Sequence, residues 1–237
     1  MKVTAIIAAA GSGTRFSKSG TPKQYLKINN KPVILYSLQV FQNSKLINEI
    51  IISANKEYFN SLHELSLKNK ITKLTKLVEG GKTRFESVRN AFNQIDNSEK
   101  GLVIIHDAAR PNIDIYFIDR MVMELGKNDG IIPGEKISET VKHVKNGIIT
   151  GTVDRENLYS VQTPQVFKYK VLKASYLKCG KKNDFTDEAA LVEYSGYKVK
   201  LTSGKRDNIK ITTLDDIKVL KTFWDKLPKL KYFFRSK

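Results

Sequence analysis

The chain has 237 residues, 41% of them hydrophobic, which is enough to bury one substantial core; no shift in composition marks a linker, so a single domain over 1–237 is predicted. The lone cysteine, Cys179, excludes an internal disulfide, and the start of the chain has neither a long apolar run nor a cleavage pattern, which argues against secretion or a membrane span and for a reducing, cytoplasmic setting. The 41 Lys and Arg against 24 Asp and Glu give a formal charge of +17, which favours anionic partners without choosing between phosphate metabolites, nucleic acid and an acidic membrane surface.

The first predicted element is a buried-type strand in the stretch from Val3, running straight through Ala8-Ala9-Ala10 into the glycine loop Gly11-Ser12-Gly13-Thr14-Arg15, followed by Thr21-Pro22-Lys23-Gln24-Tyr25. Glycines let backbone N–H groups approach anionic oxygens, and Arg15 and Lys23 add charge that peptide dipoles cannot supply, so the loop suits a polyphosphate. It is neither a P-loop, which would need Gly-Lys-Ser/Thr at its end, nor a dinucleotide fingerprint, which would need a third glycine where Phe16 stands. Pro32 suits the first turn of a helix with Val33, Leu35, Leu38 and Phe41 facing inward.

Further strands are predicted at Glu49 to Ala54, Leu74 to Val78, Leu102 to His106 and Val199 to Thr202, alternating with helical patterns, one of which starts at Thr186-Asp187-Glu188 and carries Ala190, Leu191 and Tyr194 inward. The alternation implies an α/β fold, a mostly parallel central sheet with helices on both faces. In such sheets ligands bind beyond the carboxyl ends of the strands, where Gly11 to Arg15, Gly80-Gly81 and Asp107 to Arg110 should converge. Residues 138–155 break the alternation: two strands around Asn146-Gly147 form a β-hairpin that cannot bury both faces on the same core and should project against a second copy of the chain. His106 reads as a packed residue, His63 and His143 as exposed, and no histidine pair has zinc-site spacing. The basic, aromatic stretch at 226–237 reads as solvated charge, with membrane or RNA contact as the other readings.

Seven motifs, in order, carry a family resemblance: Ala9 to Arg15 with Pro22 to Tyr25, Gly80-Gly81-Lys82-Thr83-Arg84-Phe85-Glu86-Ser87-Val88, His106 to Pro111, Thr152-Val153-Asp154-Arg155, Gln162-Thr163-Pro164-Gln165, Thr186 to Ala189, and Asp207 to Thr212. Together they resemble the 2-C-methyl-D-erythritol 4-phosphate cytidylyltransferases over nearly the whole chain. The resemblance implies a Rossmann-like homodimer in which the methylerythritol phosphate attacks the α-phosphorus of CTP, pyrophosphate leaves, and an isoprenoid precursor is activated. Such chemistry needs alignment and charge neutralisation more than covalent catalysis.

Carried over by motif, Arg15 and Lys23 would hold the triphosphate, with Arg155 and Lys210 on the acceptor phosphate, Arg155 reaching in on the arm of the neighbouring subunit. Ala9, Ala10, Gly11, Gly13, Gly81, Lys82 and Ser87 would form the nucleotide pocket, and Asp107, Arg110, Thr140 and Thr163 the acceptor contacts. Arg84 would either contact the ligand or brace its loop. Mg²⁺ is implied, arriving mainly on the CTP phosphates, with Asp107 as the candidate protein contact. Departures from the family pattern are Lys82, where relatives often carry an acid, Glu139-Thr140 for the usual Asp-Thr, and the preceding Pro133 to Lys136. The alternative acceptor is ribitol 5-phosphate, against which Ala108-Ala109 argues because that branch usually has Ser-Val; the remote alternative is a non-catalytic anion- or RNA-binding protein. Nucleic-acid and membrane partners are not expected.

Overall fold

The computed structural model describes residues 1–11, 21–96 and 100–226; Gly13, Arg15 and the basic tail from 227 lie outside them. In chain order the elements are β1 (Val3–Ala8), β2 (Lys27–Ile28), β3 (Lys31–Pro32), α1 (Val33–Asn43), β4 (Glu49–Ala54), α2 (Phe59–Lys68), β5 (Leu74–Glu79), α3 (Arg84–Phe92), β6 (Leu102–Asp107) and α4 (Ile115–Leu125). There follow β7 (Gly130–Lys136), β8 (Val141–Lys145), β9 (Ile148–Val153), β10 (Tyr159–Val161), β11 (Gln165–Lys168), α5 (Tyr169–Cys179), α6 (Glu188–Tyr194), β12 (Val199–Ser203) and α7 (Leu214–Lys226).

The main sheet runs β10-β7-β11-β6-β1-β4-β5, with β12 on the other edge of β7. Pairings β5-β4-β1-β6 and β7-β12 are parallel, whereas β10 and β11 run against their neighbours. Both faces are covered, and the period-2 alternation of the strands decides which side chain goes where. Val3, Ala5, Ile7, Ile50, Ile52, Leu102 and Ile104 join α1, α2 and α4, while Ile6, Ile51, Val103 and Ile105 join α3, α5 and α6.

The helix starts follow local chemistry. Thr83 and Glu86 close a reciprocal capping box on α3, Asp114 caps α4 through Phe117 N–H, and Asp187 caps α6 through Ala190 N–H. Val33, Leu35, Leu38 and Phe41 are buried as α1's periodicity predicts. In α6 the prediction is corrected at Tyr194, which is 50% exposed and packs edge-on against Phe185 under Lys182, while Glu188, Ala189 and Val192 join Leu191 on the buried side.

The hairpin forms as predicted: among the described residues β8 and β9 pair only with each other, and Asn146 and Gly147 take φ of 51° and 79°, the left-handed pair that a two-residue turn requires. Val144, Ile148 and Ile149 on it are exposed. Among the described residues no helix is long and apolar enough to cross a membrane.

A third, smaller core positions the cleft. Ile28, Val33, Ile211 and Leu220 are buried together, with Tyr36 stacked on Trp224 at 4.6 Å. The Trp224 indole donates to Asn112 Oδ1 (2.8 Å) and the Asn112 amide to the Asp207 carbonyl (2.9 Å), so α7 clamps the 207–211 segment onto the sheet. Leu220 is fully buried, so Leu220→Ala is expected to lower unfolding free energy by about 3 kcal/mol in urea titrations, with less ordered 207–211 backbone amides in hydrogen exchange.

Candidate active site

The carboxyl ends of β1, β4, β5 and β6 open into a cleft of about 510 Å³ lined by Ala8, Ala10, Gly11, Lys23, Gln24, Asn55, Gly81, Lys82, Thr83, Arg84, Ser87, Asp107, Ala109 and Lys210. Two loops from opposite sides of β4 touch here. A Cβ on Gly80 would fall 2.2 Å from the Ala10 Cβ, so only glycine permits the approach. Gln24, 3% exposed, donates its amide to the carbonyls of Ala9 (2.6 Å) and Gly11 (2.9 Å) and fastens the Lys23 turn to the end of β1.

The loop after β5 is held by its own side chains. Ser87 Oγ accepts from Gly81 N–H (3.0 Å) and donates to the Thr83 carbonyl (2.8 Å), and the Glu86 carboxylate accepts from Lys82 N–H (2.7 Å). The Ser87 hydroxyl therefore shapes the pocket, and the exposed Lys82 side chain borders it.

Asp107 ends β6 with 6% exposure. Arg84 Nε donates to its Oδ1 (2.9 Å) and Lys210 Nζ to its Oδ2 (2.6 Å), while Arg84 Nη1 donates to Glu188 Oε2 (2.8 Å). Burial by itself would raise the Asp107 pKa; the Arg84 and Lys210 cations outweigh it and hold the carboxyl well below the ordinary carboxylate range. Burial would lower the Arg84 pKa, and Glu188 and Asp107 overcome it and keep the guanidinium charged. The magnesium contact predicted for Asp107 meets a carboxylate with a cation on each oxygen, and no group of three His, Cys, Asp or Glu fit for a metal occurs among the described residues. Asp107 is placed to organise cations.

Two predicted acceptor contacts point elsewhere. Thr163, 5% exposed, accepts from Asp107 N–H (3.0 Å) and sits 3.1 Å from His106 Nδ1, inside the protein rather than on the cleft. Arg110 Nη1 donates to the Asn208 carbonyl (2.7 Å) and Ile211 N–H to the Ala109 carbonyl (2.8 Å), stitching the Lys210 segment to the loop after β6. Ala9 is buried at 2% and acts through its carbonyl on Gln24. Thr140 and Arg155 are exposed at the root of the hairpin, where Arg155 Nη1 donates to the Ser138 carbonyl; neither lines the cleft of its own chain. Gln24, Asn55, Thr83 and Glu188 carried no assignment in sequence, although Gln24 and Glu188 stand inside quoted motifs and Asn55 follows a strand end.

His106 is packed, as read from sequence. Its Nε2 faces the Arg110 carbonyl at 3.0 Å, which only accepts, so Nε2 carries the hydrogen and Nδ1 accepts from the Thr163 hydroxyl. Burial lowers its pKa from 6.5 to about 4. The unfolded chain therefore binds the extra proton first: the stability held by neutral His106 is complete above pH 6.5 and is lost as pH falls towards 4. Unfolding free energy is expected to drop by about 2 kcal/mol from pH 7 to pH 5, a drop that His106→Gln removes in urea titrations at the two pH values.

Residues 3–224 match the family described as IspD: 2-C-methyl-D-erythritol 4-phosphate cytidylyltransferase. The chain is 41% identical over 224 residues to the 2-C-methyl-D-erythritol 4-phosphate cytidylyltransferase of Fusobacterium nucleatum, covering 93% of this chain and 96% of that one. It is 40% identical over 225 residues to the protein of that name from Lachnospira eligens, covering 93% and 98%. The crystal structure of the Francisella tularensis enzyme of that name is similar with a TM-score of 0.81 at 32% identity, covering 94% of this chain and 99% of that one.

Proposed function

The chain belongs to the IspD family of 2-C-methyl-D-erythritol 4-phosphate cytidylyltransferases, and on that premise we propose that it transfers the cytidylyl group of CTP to 2-C-methyl-D-erythritol 4-phosphate, releasing pyrophosphate. The observation that carries the reading is one cleft at the strand ends into which Lys23, Lys82, Arg84 and Lys210 converge around a single, already neutralised carboxylate. A phosphate oxygen of the acceptor attacks the α-phosphorus and the bond to the β-phosphate oxygen breaks, its electron pair leaving with pyrophosphate. Both reactants are anions, so fixed cations lower the repulsion on approach and stabilise charge on the departing group.

Lys23 faces the triphosphate side of the cleft and Lys210 the acceptor side, with Arg15 and Gly13 assigned to the triphosphate by motif alone. Ala10, Gly11, Gly81, Lys82 and Ser87 enclose the cytosine, where limited width rejects a purine. Asp107 and Arg110 serve the acceptor indirectly, by placing Lys210 and its segment, and Thr163 supports Asp107. Any Mg²⁺ reaches the cleft on the CTP phosphates.

Arg155 and Thr140 fit a homodimer with exchanged arms: they stand at the root of a hairpin with exposed Val144, Ile148 and Ile149 whose strands pair, among the described residues, only with each other, which supports their serving the partner's cleft. The working compartment is the cytoplasm, in keeping with a free, buried Cys179.

Pyrophosphate release from CTP and Mg²⁺ is expected with methylerythritol 4-phosphate and not with ribitol 5-phosphate at equal concentration; the reverse preference would reassign the acceptor. Lys23→Ala is expected to lower kcat ~100-fold or more, and Lys210→Ala and Arg155→Ala to raise the KM for the acceptor. At acceptor concentrations far below the raised KM, where Lys23→Ala and Arg155→Ala are each nearly silent, mixing the two subunits should restore about a quarter of wild-type activity, since half the dimers are mixed and each mixed dimer has one intact site. No recovery on mixing would place Arg155 in its own subunit's site.

A further inference from the structure

Glu188 is the first residue of α6 and is fully buried, although it is a carboxylic acid and does not line the cleft. Its position is fixed from both sides. Asp187 caps α6 through Ala190 N–H (2.9 Å) and accepts from the Gln165 amide (2.8 Å), which ties the helix start to β11. Glu188 Oε2 takes one Arg84 nitrogen, Nη1 (2.8 Å), while Glu188 Oε1 and Arg84 Nη2 are buried and make no hydrogen bond among the described residues. The contact is therefore single. From it a chain of alternating charge runs to the cleft: Glu188 to Arg84, Arg84 Nε to Asp107 Oδ1 (2.9 Å), and Asp107 Oδ2 to Lys210 Nζ (2.6 Å).

From this arrangement, and resting on the reading of Lys210 as the acceptor-phosphate ligand, we infer that Glu188 is a positioning residue for the acceptor, acting on the Lys210 ammonium through Arg84 and Asp107. Two negative and two positive groups balance. Glu188 holds Arg84 by Nη1 and so fixes the guanidinium in an orientation where Nη2, the nitrogen beside Nε, makes no bond to Asp107 and the second Asp107 oxygen is left to Lys210. With the Glu188 charge removed, the guanidinium draws both Asp107 oxygens to itself, because a bidentate fork is the stronger geometry for an arginine and a carboxylate. Lys210, 39% exposed in its side chain and otherwise a flexible cation, then loses the group that aims it. The Lys23 turn is fastened through Gln24 to the end of β1. The Gly81 and Lys82 amides keep their own bonds to Ser87 and Glu86, so the effect of Glu188 falls mainly on the acceptor half of the reaction.

The test is a double-mutant cycle of Glu188→Gln and Lys210→Ala in the full chain, with kcat and KM for each substrate and melting temperature measured throughout. Glu188→Gln is expected to raise the acceptor KM ~10-fold with the CTP KM changed less than ~2-fold. In the Lys210→Ala background the same substitution should add less than ~2-fold. Arg84→Lys, which keeps the charge but loses the fork, gives a second route and should reproduce the acceptor-selective change if Glu188→Gln folds poorly. Additive losses in the cycle, or equal losses for both substrates following a fall in melting temperature, would overturn the inference while the wild type remains active. A wild type that does not turn over methylerythritol 4-phosphate would instead remove the functional reading and the inference with it.

Discussion

Asp107 is an ionised carboxylate placed at the buried end of a central strand, where water cannot solvate it, and a charge so placed must be matched by cations held in fixed positions. Arg84 and Lys210 match it, and each ties a different part of the chain to β6. Arg84 begins α3, so its bond to Asp107 sets the glycine-rich loop of residues 80–83 against the end of β1, where Gly80 and Ala10 meet. Lys210 belongs to the 207–211 segment, which Arg110, Asn208 and the α7 clamp fasten over the loop after β6. The cleft is thus an ion-paired joint between segments distant in sequence, and its cations are in place through interactions made within the protein.

That arrangement suits a reaction in which two anions must be brought together. Preorganised charge does not have to be gathered at the moment of reaction, and this is where fixed cations gain over mobile ones in water. The local charge balance also explains how Arg84 and Lys210 sit side by side in one cleft: Asp107 and the buried Glu188 offset them.

The hairpin obeys a different constraint. Two strands standing alone expose both faces, and Val144, Ile148 and Ile149 lie on them without a core to join. Arg155 and Thr140 at its root do not line the cleft of their own chain.

The amino-acid sequence by itself determined what depends on neighbours in the chain: strands at Glu49 to Ala54, Leu74 to Val78, Leu102 to His106 and Val199 to Thr202 from apolar runs, the last three of which continue one residue further in the structure, the α6 start from Asp187, and the hairpin turn from Asn146-Gly147. Convergence of the loops was legible too, because strand ends in a parallel sheet share one side. Side-chain partners were not. Thr163 and Arg110 stand in motif positions that suggest a ligand, yet the tertiary structure turns one towards Asp107 and His106 and the other towards Asn208. The bond from Arg84 to Glu188 spans 104 positions, and no local period or propensity encodes which carboxylate a buried guanidinium will find. Only the packing of α3 and α6 on the same face of the sheet brings them together, and the cost of leaving either charge alone in the interior then makes the pairing obligatory.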